Sequence, residues 1–364
     1  MNSIEKNHKW ARLRDWLAKK RKIILIVIGS ILFLIVGIGT YLYLSYKPTA
    51  ETKSAVTAQA SKIEPIKYYS PLTGSLVEKE SDTKQPVTGV MIENSPEARP
   101  QSGLKDAGVV FEAICEGGIT RFLALYQSEK PQLLGPVRSV RMYYIDWAAG
   151  FNASIAHVGG NDDALNRIGN GNYRNLDEFS YGDSFWRTTD RYAPHNMYTS
   201  FAELDKLNQS NGYTSSAYTP FPRTDGSPAE VVNAKIINVT ISSSLFDSSY
   251  IYNSVNNSYD RSQAGEAHVD LDGRQISPTT VIGMFVNEST ISVPVNGSEE
   301  ELGTIGQGRA VIFQNGVATE ATWAKTSESS QITFTDANGL SIPLVRGQTW
   351  ITAIPNGAGD VIWS

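Results

Sequence analysis

Cysteine is almost absent from this 364-residue chain, in which Cys115 stands alone. One thiol excludes an intramolecular disulfide and any cysteine-based zinc site. Histidine is nearly as scarce: His8, His157, His195 and His268 show no metal-ligand spacing, so no metal site is expected. No cofactor motif stands out either. Gly303 to Gly308 is glycine-rich, but a strand pattern follows it where a dinucleotide fingerprint needs a helix. Positive charge is also short. The net charge is −5, and residues 1–22 hold eight basic against two acidic residues, which leaves −11 on the rest of the chain. An acidic body argues against nucleic acid as a partner.

Long apolar runs are limited to one, Ile23 to Leu44, 22 residues without a charge. As a helix it spans roughly 33 Å, enough for a hydrocarbon core of about 30 Å. A cleaved signal peptide is the competing reading, but Ser45-Tyr46-Lys47-Pro48 follows where a small-x-small cleavage site would be needed. Residues 23–44 are therefore expected to be a transmembrane helix. Residues 1–22 form its basic, cytoplasmic tail by the positive-inside rule, and the remainder lies outside the cytoplasm. Residues 45–65 are small and polar, as in a flexible linker; the stretch from Lys47 to Pro65 has a coil reach of roughly 25 Å.

The fold class expected beyond the linker is α+β, with a mixed first domain over 66–222 and a predominantly β second domain over 230–364. In the first, strands are expected at Val87 to Glu93 and Ala153 to Val158. Glu112 to Tyr126 reads as a hairpin closed by a two-residue Gly117-Gly118 turn. Gly135-Pro136 opens a helix-like segment through Ala149, and Asn161 and Ser200 cap two more helices. Residues 169–196 read as a long loop with many aromatics, a feature more common in functional loops. In the second domain short strands alternate with turns, and Asn315-Gly316 marks a hairpin.

A two-residue turn would pair Ile114 with Arg121 and Glu112 with Leu123, gathering Glu112, Glu116 and Arg121 on one face. Such a cluster reads either as a cross-strand ion-pair network or as a polar cleft floor. Arg138 and Arg141, three apart on the expected helix, could clamp an anion. His157, His195 and Asn196 complete the candidate ligand-binding set, with backbone capping as the competing role for the histidines. Asp162 and Asp163 are most simply helix-cap residues, and Cys115 a small core residue.

Pro71-Leu72-Thr73-Gly74, Arg99-Pro100-Gln101-Ser102-Gly103-Leu104, Glu116 to Phe122, Gly135 to Arg141, His157-Val158-Gly159-Gly160, Pro194-His195-Asn196 and Gly347 to Ile351 fall in order along the chain. Together they resemble the YerB-like lipoproteins of bacteria, a domain of unknown function with an N-terminal and a C-terminal part. The resemblance implies an extracytoplasmic, membrane-attached protein of the cell envelope and implies no activity. In one respect the chain departs from it. Members are commonly lipid-anchored through a cysteine after the signal sequence, and here none precedes Cys115, so the apolar helix is the expected anchor.

Two functions fit these readings. One is a binding or adaptor module for an anionic wall polymer or an envelope partner. The other is a wall-active glycan hydrolase or transferase using acidic residues of the first domain. Glu112 and Glu116 on one strand face would lie about 13 Å apart along it, beyond the roughly 5–9.5 Å of glycosidase pairs, which favours binding.

Overall fold

The computed structural model describes residues 3–46, 66–293 and 297–364. The linker expected from Lys47 to Pro65 lies outside the described residues. The chain divides into two units, Met1–Pro65 and Ile66–Ser364. The first contributes a helix, Ser3–Ser45, and within it Trp10–Ser45 is long and apolar enough to cross a membrane. The second is α+β, with a largely β C-terminal region, as expected.

Its centre is a ten-stranded mixed sheet. The order is Thr333–Thr335, Val317–Lys325, Gly306–Gln314, Thr280–Val286, Thr349–Pro355, Val109–Ile114, Thr120–Tyr126, Thr88–Glu93, Ser154–His157 and Arg174–Asp177. The central strands bury every residue, because both faces are covered, and they accordingly read as continuous apolar runs. On one face, Phe111, Leu123 and Leu125 pack against Tyr144 and Trp147 of the helix Met142–Ala149 and Ile168 of the helix Asp162–Asn170. On the other, Val90, Phe122 and Tyr126 pack with the helix Phe201–Ser210, while Val281, Phe313 and Trp350 meet a second, five-stranded antiparallel sheet. Strands of that second sheet, such as Ile236–Thr240 and Ser248–Asn253, alternate buried and exposed residues because only one side is covered.

Three expectations are corrected. The hairpin closes through a five-residue connection: Cys115 N–H donates to Ile119 O at 2.7 Å around a 3-10 turn at Glu116–Gly118, with Gly117 and Gly118 at positive φ. An odd loop in place of an even one shifts the register by one, so Glu112 faces Phe122 and Ala113 faces Arg121. That slip moves Arg121 to the opposite face from Glu112. Second, residues 135–141 are extended and the helix begins only at Met142, because Val137 bridges Ile92 and its N–H bonds Met197 O at 2.7 Å. Arg138 therefore sits on an extended crossing segment and Arg141 at the helix N-cap. Third, the stretch 169–196 is not all loop: it holds the strand Arg174–Asp177 and Trp186–Arg187, which pairs with Met197–Tyr198.

The two parts expected as separate domains share the central sheet. Thr349–Pro355 lies between Thr280–Val286 and Val109–Ile114, parallel to both. Seven strands of the sheet consequently run the same way and end at Glu93, Ile114, His157, Asp177, Val286, Lys325 and Pro355.

Candidate cationic site at the carboxyl edge of the sheet

The carboxyl ends of parallel strands, where side chains leave the sheet into connecting loops, are the usual location of a ligand crevice in open α/β sheets. Here Glu93 ends its strand with its carboxylate almost fully buried. Its Oε1 accepts the Ser95 hydroxyl at 2.9 Å, lies 2.9 Å from His195 Nδ1, and is 3.3 Å from Arg138 Nε, an ion pair without hydrogen-bond alignment. Among the described residues its Oε2 is buried with no hydrogen-bond partner, and so is Arg138 Nε. The Arg138 side chain keeps 27% of its surface exposed. Backbone bonds fix both residues, since Arg138 N–H donates to Met91 O and Glu93 N–H to Pro136 O, each at 2.9 Å.

Beside them Arg141 grips Glu116 through one guanidinium edge, Nε and Nη2 together, and donates from Nη1 to its neighbour Val140 O. Burial raises the Glu116 carboxyl, but the Arg141 bond and the Arg141 and Arg121 charges outweigh it and hold the group below its usual range. Arg121, buried, donates to Ser139 O at 2.7 Å. Arg138 is pushed below its usual value by burial and by the charges of Arg121, Arg141 and Arg187, against the pull of Glu93. Arg121, Arg138, Arg141 and Arg187 thus share one sheet edge with the carboxylates of Glu93, Glu116 and Asp177, the last accepting the Gly159 N–H at 3.0 Å. Around it stand exposed aromatics, Phe179, Trp186 and Tyr192.

Of the residues singled out from sequence, Glu116, Arg121, Arg138, Arg141 and His195 come together here. Asn196 braces the rim, accepting from Arg187 at 2.8 Å and donating to Thr188 O at 2.8 Å. His157 is fully buried, with Nδ1 2.8 Å from Gly159 O and Nε2 2.8 Å from Asn175 Oδ1. Glu112 lies elsewhere, on the other face. Its Oε2 accepts from Arg261 Nη2 at 2.9 Å and Trp350 Nε1 at 3.0 Å, and its Oε1 from the Thr120 hydroxyl at 3.3 Å. Sequence reasoning missed Glu93, Ser95, Arg187 and Arg261. The signal for Glu93 was a carboxylate closing an apolar strand just before Asn94-Ser95-Pro96.

Arg261, wholly buried, also bonds His268, whose Nε2 meets Gln101 Oε1 at 3.0 Å. Burial, then the charges of Arg261 and Arg99, depress the His268 imidazole well below its ordinary value of 6.5. It stays neutral in the fold and takes a proton on unfolding. Its contribution is therefore complete above pH 6.5 and declines as pH falls below it. The slope approaches about 1.4 kcal/mol per pH unit, the value for one proton. Urea unfolding of the full chain in detergent between pH 5 and 8 should show a His268→Gln variant with a flatter profile than the parent; parallel profiles would contradict this.

Fold and sequence define an α+β protein with a long apolar N-terminal helix. The chain belongs to the family described as protein of unknown function (DUF3048), matching its N-terminal domain over residues 72–214 and its C-terminal domain over 237–351. It is 30% identical over 318 residues to YerB of Bacillus subtilis (strain 168), a protein named as a candidate lipoprotein, covering 85% of this chain and 91% of that one. The crystal structure of Bacillus subtilis YerB superposes with a TM-score of 0.71 at 28% identity, covering 81% of this chain and 99% of that one. The lipoprotein relative and the apolar helix together point to membrane association.

Proposed function

We propose that this protein is a single-pass, membrane-anchored binding module of the cell envelope. Its N-terminus lies in the cytoplasm and its globular unit outside, and the edge cluster of Arg138, Arg141, Arg187 and His195 holds an anionic group of a wall polymer or envelope partner. The observation that carries this reading is the Arg138 guanidinium, paired only with Glu93 among the described residues and still open to solvent. Guanidinium forks suit carboxylate and phosphate oxygens.

The same geometry weakens the hydrolase reading. Glu112 is neutralised inside the fold by Arg261, and Glu116 is held ionised by Arg141, the reverse of what a general acid needs. Ser95, His195 and Glu93 do not form a nucleophilic triad either. The serine hydroxyl lies 3.2 Å from His195 Nδ1, the same nitrogen that meets Glu93, whereas a relay uses both ring nitrogens.

The test is co-sedimentation of the detergent-solubilised full chain with purified wall material. An Arg138→Gln/Arg187→Gln variant should lose about tenfold or more in affinity, the scale of one or two charge-assisted contacts, while remaining folded by circular dichroism at the assay temperature. Release of soluble fragments from the wall by the parent protein would favour an enzyme instead.

A further inference from the structure

We infer that the Glu93–Arg138 pair recognises a phosphate carrying a neighbouring hydroxyl, a polyol phosphodiester, and this rests on the anion-binding reading above. Glu93 is more than nine-tenths buried, yet among the described residues its Oε2 has no donor, and the adjoining Arg138 Nε, 3.3 Å from Oε1, has no aligned acceptor. Buried polar atoms are nearly always satisfied, so two orphans on adjoining side chains mark places for missing partners. They differ in what they require. Arg138 requires anionic oxygen. Glu93 Oε2 is an acceptor only, so it requires an O–H or N–H donor beside that anion.

Charge suits a phosphate ester, since the guanidiniums of Arg121, Arg141 and Arg187 all act on Arg138. The donor is assigned as a hydroxyl because an exposed aromatic flanks this edge: Phe179 lies over Gly159, whose carbonyl accepts the Val140 N–H at 3.0 Å. Exposed aromatic faces cover the C–H faces of a polyol or sugar. The His195 ring bonds only through Nδ1 among the described residues, which leaves Nε2 for a further phosphate or hydroxyl oxygen. This chemistry occurs both in free or polymeric glycerol phosphates and in phosphatidylglycerol headgroups.

Isothermal titration of the full chain in phosphatidylcholine nanodiscs, with glycerophosphoglycerol and with diethyl phosphate as probes, separates the outcomes. Glycerophosphoglycerol should bind about tenfold tighter than diethyl phosphate, the scale of one hydrogen bond to a charged group. Arg138→Gln should weaken both probes. Glu93→Gln, which replaces an acceptor with a donor at one position, should erase the difference between them, and His195→Gln serves as the second variant if Glu93→Gln does not fold. In nanodiscs containing phosphatidylglycerol, a weakened apparent affinity for the soluble probe identifies the lipid headgroup as the source, and an unchanged one identifies free or polymeric phosphate. Equal affinities for the two probes in the parent protein would overturn the hydroxyl contact. Wall retention that depends on Arg138, without measurable glycerophosphoglycerol binding, would overturn this inference while leaving the broader anion reading in place.

Discussion

Replacing Arg261 with methionine should cost about 3–5 kcal/mol of folding stability, because it strands Glu112 as an uncompensated charge in the interior. Both partners are essentially without solvent contact, and Arg261 also stacks 4.5 Å from the Trp350 ring centroid. The pair connects the N-terminal family segment to the C-terminal one, since Glu112 and Arg261 are 149 positions apart. A Glu112→Gln/Arg261→Met double variant should recover part of the loss, as coupled sites are not additive. Urea unfolding of all three proteins measures this; a single-variant loss below about 1 kcal/mol, the level of an exposed pair, would refute it.

Truncating Trp147 to alanine should cost a similar amount, about 3–5 kcal/mol, the range for large aromatic side chains removed from a core. The indole stacks on Phe111 with ring centroids 5.0 Å apart and planes 11° from parallel, and meets Tyr143 and Tyr144 edge-on. It fastens the helix Met142–Ala149, with Arg141 at its N-cap, to the sheet. Its Nε1 has no hydrogen-bond partner among the described residues. Trp147→Phe should therefore restore most of the stability, since no bond is lost with the nitrogen. Thermal melts compare the two, and equal losses would show that packing volume is not the cause.

The long apolar helix, the caps at Asn161 and Ser200, and most central strands were legible in the sequence because each rests on local chemistry. Asn161 Oδ1 does accept the Ala164 N–H, and Ser200 Oγ the Glu203 N–H, each at 3.3 Å. Asn315-Gly316 does join two nine-residue strands. What local reasoning missed was set at long range. The hairpin register turned on an odd-numbered loop in place of an even one, and with it went the supposed sharing of Arg121 by Glu112 and Glu116. Residues 135–141 have no local signal against a helix after Pro136; their backbone is recruited by Ile92 on one side and Met197 on the other. Five of the eight candidate site residues still meet at one edge, because the register slip moved Glu112 away but left the loop ends at Glu116, Arg138, Arg141 and His195 together. Glu93 escaped notice because its partners Arg138 and His195 lie 45 and 102 positions along the chain.

Hydrogen exchange of the full chain, with and without a saturating anionic wall polymer, tests most directly whether this edge is the binding surface. New protection should be confined to peptides spanning residues 93–96, 137–141 and 186–196. Protection elsewhere on the globular unit with those three segments unchanged would contradict the assignment.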